Sequence, residues 1–195
     1  MRIVILTFLT VLTVQSLFGQ LPEFQTNVSD TDFDKSIILD EFGTKYQQIV
    51  SFTSNSYWNK GYREFYVLLL EENTWIFKKL SVKLNEENHV KKSKTKKLHI
   101  DINQADDFVS FLSEVDFWNF NEDSLNLNKK DQGNDRVLMK SITDGRTDKF
   151  LIRNGANVRS TWAYEADQLQ EFVPTEQRRK FIEARNRFYE LIKQS

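Results

Sequence analysis

Two neighbouring stretches, Tyr62 to Leu70 and Trp75 to Leu84, constrain the fold of this chain more than any other feature. Both are rich in aromatic, aliphatic and β-branched residues, and only Glu71, Glu72, Asn73 and Thr74 separate them, which reads as a β-hairpin. Along the first strand Tyr66, Leu68 and Leu70 fall on one face while Phe65, Val67 and Leu69 fall on the other. A strand apolar on both faces belongs inside a sheet that is covered above and below. Along the second strand Trp75 and Phe77 share one face and Ile76 takes the other.

The remaining pattern supplies further strands and at least two helices. Lys45 to Ser54 is rich in β-branched and aromatic residues, and Leu98, Ile100 and Ile102 alternate with Lys97, His99 and Asp101, predicting a strand over 96–102 after a polar interval at 85–97. Arg136 to Ile142 and Lys149 to Arg153 flank Thr143 to Asp148 as a second hairpin, with Gly145 supplying positive φ. Val158 to Tyr164 follows Asn154-Gly155 and extends the pair into a meander. Asn103 caps a helix running to about Val115, with Phe108, Phe111, Leu112 and Val115 at helical spacing. Thr175 caps the last helix, whose stripe contains Phe181, Ile182, Phe188, Tyr189 and Ile192, with the Arg185 charge placed outside.

Between these elements, 116–135 reads as a loop that starts buried at Phe117, Trp118 and Phe120 and ends exposed. Leu21 to Asp34 has little periodicity and reads as a loose segment outside the core. With no internal repeat and no convincing linker, 21–195 is expected to be a single α+β domain, an antiparallel β-sheet of hairpins and a meander packed by two or more α-helices. A domain of this length buries roughly 68 to 70% of its unfolded surface.

Residues 1–20 read differently. Arg2 precedes an apolar run from Ile3 to Val14 broken only by threonines, the pattern of a secretory signal peptide. The expectation is export to the periplasm or beyond, with no integral membrane segment after the leader is removed, because no later stretch approaches the ~20 apolar residues of a spanning helix. The chain has no cysteine, which excludes disulfides, thiol catalysis, cysteine-ligated metals and a lipid-modified cysteine anchor. Asn27-Val28-Ser29 matches a glycosylation triplet.

Charge is distributed unevenly. Residues 78–97 hold eight lysines against Glu86 and Glu87, whereas 101–135 hold nine acids against Lys129 and Lys130. Opposed patches steer encounter with another protein. Nucleic acid is not the expected partner, because the run is lysine rather than arginine and the formal net charge is −1. Lys91, Lys92, Lys94 and Lys96 are therefore binding candidates, set against the plainer reading of a solvated or edge-protecting surface. Asp144 and Arg146 are candidates at the expected hairpin tip, where a local ion pair in a turn would serve equally well.

Trp118, Arg159, Trp162 and Tyr164 combine a cation with aromatic faces and are candidates for a ligand cleft, or for ordinary packing. His89 and His99 lie far from any nucleophile motif, and no metalloprotease, nucleophile-elbow, phosphate-loop or dinucleotide signature is present. No catalytic residue, metal ligand or cofactor is assigned.

Phe117-Trp118, Asp144-Gly145, Trp162-Ala163-Tyr164 and the helix bearing Phe181, Phe188 and Leu191 occur in an order that resembles small exported proteins of unknown function in the Bacteroidota. The resemblance covers roughly 108–192, and Phe150 stands where a tryptophan is more familiar. It implies a helix, an aromatic loop, an Asp-Gly hairpin, an aromatic strand and a terminal helix. Some such proteins look like toxin-neutralising immunity proteins, which implies a protein partner and no catalysis. The function expected is therefore noncatalytic protein recognition, as an inhibitor or immunity-like protein, with a small envelope hydrolase or a structural component of an envelope assembly as alternatives.

Overall fold

The expected hairpin is present, with its turn reduced to Glu72 and Asn73, both at positive φ (48° and 65°), the geometry whose twist matches that of the flanking strands. The structure, a computed structural model, describes residues 21–56, 61–133 and 136–195. The leader expected at 1–20 lies outside the described residues. The strands are β1 (Gln48–Ser56), β2 (Tyr62–Glu71), β3 (Thr74–Leu84), β4 (Val90–Leu98), β5 (Lys129–Asp131), β6 (Val137–Met139), β7 (Arg146–Asn154) and β8 (Asn157–Tyr164). The helices are α1 (Phe33–Phe42), α2 (Ile102–Glu114), α3 (Glu122–Leu125), α4 (Ala166–Phe172) and α5 (Glu176–Lys193), with a 3-10 turn at Phe117–Asn119. Six strands form one antiparallel sheet in the order β4-β3-β2-β1-β7-β8, and β5 pairs with β6 separately. The α+β class is as expected.

Both faces of the sheet are covered, as the two-sided apolar pattern of β2 requires. On one face Phe52, Leu68, Phe77 and Phe150 pack against Phe108 of α2 and Phe181 and Phe188 of α5. The Phe188 ring lies 5.3 Å from Phe52 and 5.2 Å from Phe108, centroid to centroid, within the range of favourable aromatic pairs. On the other face Ile49, Val67, Leu69 and Leu151 pack against Ile37, Ile38 and Phe42 of α1. Val67, Leu68 and Leu69 are fully buried, so β2 occupies an interior position.

Several sequence expectations are corrected. The segment 21–34 is not loose: Leu21 and Phe24 join the core, Phe24 stacks on Trp118 at 5.8 Å, and its last residues begin α1. The strand placed at 96–102 runs instead over β4, inside the lysine-rich interval, because pairing with β3 supplies the order that the side chains do not signal. Asp101, not Asn103, caps α2, its carboxylate accepting from the Asn103 backbone N–H. Residues 136–142 do not pair with β7; β6 pairs with β5, and β7 pairs with β8 and β1. Asp144, not Gly145, takes positive φ (58°). Gly145 is needed for space, since a Cβ there would lie 2.6 Å from the Tyr164 ring.

Two guanidinium groups are interior. Arg178 is fully buried and donates to the carbonyls of Leu127 (2.7 Å), Val173 (2.6 Å), Leu125 and Ser124, tying α5 to the loop around α3. Arg185, whose charge the helical stripe placed outside, is only 5% exposed. Its Nη1 lies 2.7 Å from Asp167 and 3.2 Å from Asp148. Carboxylates from β7 and α4 thus draw the charge inward and compensate its desolvation.

The candidate site at the edges of the sheet

The two outer strands end the sheet in opposite ways. The hydrogen-bonded pairs run Asn154↔Asn157, Ile152↔Arg159 and so on from the tight β7–β8 turn, so the backbone groups of Val158, Ser160, Trp162 and Tyr164 point away from β7. Two asparagine side chains occupy them. Asn27 donates to Ser160 O and accepts from Ser160 N, both at 2.8 Å, while its own backbone N–H donates to Val158 O at 3.3 Å. Asn126 donates to Trp162 O (3.2 Å) and accepts from Tyr164 N (2.8 Å). Each amide stands in for one peptide unit of an absent seventh strand. The same engagement uses the Asn27 amide nitrogen that the glycosylation triplet would require.

The opposite edge is open. Counting pairs outward from the Glu72-Asn73 turn places the outward backbone groups of β4 at Lys91, Ser93, Thr95 and Lys97. No other described element hydrogen-bonds to them. The side chains of Lys92, Lys94 and Lys96 lie on the face shared with Phe77 and Leu98, in rows set by the register: Tyr62, Lys83, Lys92; then Glu64, Ser81, Lys94; then Tyr66, Lys79, Lys96. The acid within these rows is already used, for Glu64 accepts from Tyr62 (3.1 Å) and pairs with Lys79 at 2.6 Å. Burial works against the Lys79 ammonium, yet the Glu64 and Tyr66 contacts outweigh it and hold its pKa above the usual lysine value. Lys91, Lys92, Lys94 and Lys96 are exposed and reach no carboxylate among the described residues. The sequence named these lysines, and the register turns them into a ladder beside free backbone groups.

The other candidates separate. Trp118 is 5% exposed and packs into the core, so it offers no surface. Arg159 lies on the α5 side of β8 and donates to Phe120 O at 3.0 Å, whereas Trp162 and Tyr164 lie on the α1 side. Burial holds the Arg159 pKa below its ordinary value against the pull of Glu122 and Asp116. Tyr164 donates to Ile142 O (3.1 Å) and accepts from Gly145 N (2.9 Å), which fixes the chain ahead of β7. Arg146 Nε lies 3.2 Å from Asp148, and Asp144 shapes the backbone before it without joining that pair.

Sequence reasoning gave Asn27 only a glycosylation triplet and missed the edge-capping roles of Asn27 and Asn126, the pairing of Lys149 and the Asp148–Arg185–Asp167 cluster. Lys149 donates to both oxygens of Asp32 (3.0 and 2.8 Å) and to Asp34 (3.0 Å). Only a fold that lays the start of α1 across β7 brings these residues together. Among the described residues no group of three or more histidines or acids is placed to hold a metal ion, and no helix is long and apolar enough to cross a membrane. No protein-family model matches the chain, and no curated protein matches it in sequence.

Proposed function

We propose that this chain is a noncatalytic recognition domain that binds an acidic, extended segment of another protein along the open edge of β4. The observation that carries the reading is the pairing of free backbone groups at Lys91, Ser93, Thr95 and Lys97 with the lysine row at Lys92, Lys94 and Lys96. Backbone groups on an open edge supply affinity for an added strand, and side chains on alternate positions supply selection. Acidic residues on the incoming strand would lie opposite the lysines, whereas a second copy of β4 would set lysine against lysine and be repelled. The apolar run at Ile3 to Val14 supports placing this encounter outside the cytoplasm, as an inhibitor or immunity-like protein would require.

The test uses a synthetic peptide alternating glutamate and valine, titrated into the isotope-labelled chain. The expected result is hydrogen-exchange protection and amide shifts at Ser93 and Thr95, weakening with added salt and abolished by Lys92→Glu, Lys94→Glu and Lys96→Glu combined. Protection elsewhere, equal binding of a lysine-valine peptide, or preference for a nucleic acid over the acidic peptide would overturn the reading.

A further inference from the structure

On the α1 face of the sheet, beyond the end of the helix packing, lies an open cleft of about 430 Å³, within the roughly 300–1,000 Å³ range of small-ligand sites. Its floor is the sheet itself, where Asn55, Arg63, Thr147 and Ser160 come from four different strands. Its walls are the start of α1, carrying Asp32 and Asp34, and α3, carrying Glu122. Among the described residues that line it, Trp162 contributes the single aromatic ring.

The charges in this cleft argue for an uncharged ligand. Asp32, Asp34 and Glu122 face Arg63 and Lys149, leaving the lining close to balance. The Lys149 ammonium spends its protons on Asp32 and Asp34, so it holds the wall together and offers no free charge to an anion. Arg63 is different. Its Nε is buried and has no hydrogen-bond partner among the described residues, which costs free energy, while the half-buried side chain lines the cleft. Hydroxyl groups accept from a guanidinium and donate to carboxylate and amide oxygens in turn. A ligand that carries many hydroxyls around an apolar ring face therefore matches both the polar lining and the Trp162 indole.

We infer that this cleft is a carbohydrate site, in which Trp162 takes the apolar face of a pyranose while Arg63, Asn55 and Ser160 bond its hydroxyls. The site is separate from the β4 edge, which lies at the far side of the sheet from β8.

The experiment titrates the isotope-labelled chain with cellobiose, maltose and chitobiose, and in parallel with inorganic phosphate and glycylglycine, following the Trp162 indole N–H assigned through Trp162→Phe. At least one disaccharide is expected to shift that signal, and Arg63→Met is expected to weaken the binding about tenfold, a change of about 1.4 kcal/mol. Lys94→Glu on the distant edge should leave it unchanged. Arg63→Met keeps most of the side-chain volume, and its thermal unfolding checks that it folds. Failure of all three sugars to move the indole at tens of millimolar would overturn the assignment. So would a shift caused by phosphate or the dipeptide alone, or sugar binding indifferent to Arg63→Met, which would place the sugar in a second cleft that Trp162 shares with Asn126, Asn128, Lys140 and Tyr164.

Discussion

Arg185 of the last helix reaches through the core boundary to place Nη1 3.2 Å from Oδ2 of Asp148, a carboxylate that is 2% exposed. Replacing Arg185 with Met leaves that buried carboxylate only the more exposed Arg146, whose Nε lies 3.2 Å from it, and loss of one partner of a buried pair costs up to about 3–5 kcal/mol. Urea unfolding should register that loss for Arg185→Met. The double variant Arg185→Met with Asp148→Leu should be the less destabilised of the two. The hydrogen bond from Arg185 also holds the Asp167 carboxyl below its ordinary pKa, with the Arg185 and Arg146 charges acting in the same sense against partial burial. A lowered folded pKa gives stability that is present above the unfolded value of about 3.9 and is lost as the pH falls through the folded one. Arg185→Met should flatten that acid limb.

Lys149 titrates with the opposite sign. Burial works against its charge, but the Asp34 charge and the hydrogen bonds to Asp32 and Asp34 outweigh it and raise the pKa. The stabilisation is complete below the unfolded value of about 10.4 and is lost as the pH rises through the folded one. The stability gap between the native chain and Lys149→Met should stay constant through neutral pH and close above about pH 10.4. A gap that remained unchanged far into the alkaline range would show that the charge on Lys149 contributes nothing.

Asn27→Ala removes both side-chain bonds to Ser160 and leaves its backbone N–H and C=O without those partners. The expected cost is about 1–3 kcal/mol for the unsatisfied groups. Amide exchange at Ser160 should accelerate with little change at Thr95 on the other edge.

Two tryptophans that the sequence grouped together should part company. Trp118→Ala opens a cavity in the core beside Phe24 and should cost about 3–5 kcal/mol, without altering any ligand response that survives in the folded fraction. Trp162→Ala, at a half-buried cleft position, should cost less stability and abolish sugar-induced amide shifts at Asn55 and Ser160, which also line the cleft. Equal loss of stability in both would contradict the placement of Trp162.

The differences in legibility have physical causes. The β2–β3 hairpin was readable because burial on both faces of β2 forces an unbroken apolar run, and α2 and α5 were readable because each buries one stripe. β4 carries no such signal, since nearly every side chain is exposed and only its hydrogen bonds to β3 make it a strand. For α1, Ile37, Ile38 and Phe42 are its buried residues within an acidic stretch, and its start is fixed by Asp32 accepting from the Lys35 N–H. The candidate lysines Lys91, Lys92, Lys94 and Lys96 could be named from composition, but their alternation beside free backbone groups depends on register. The cleft around Arg63 and Trp162 joins residues from four strands and two helices, which no local pattern encodes.

The contrast between the amide-sealed rim at β8 and the bare rim at β4 makes the six-stranded sheet one-sided among the described residues. A strand added to this sheet would find free backbone groups at β4 and occupied ones at β8. Under the proposed reading, this sheet would then take one partner strand per chain, a stoichiometry set by its unequal ends.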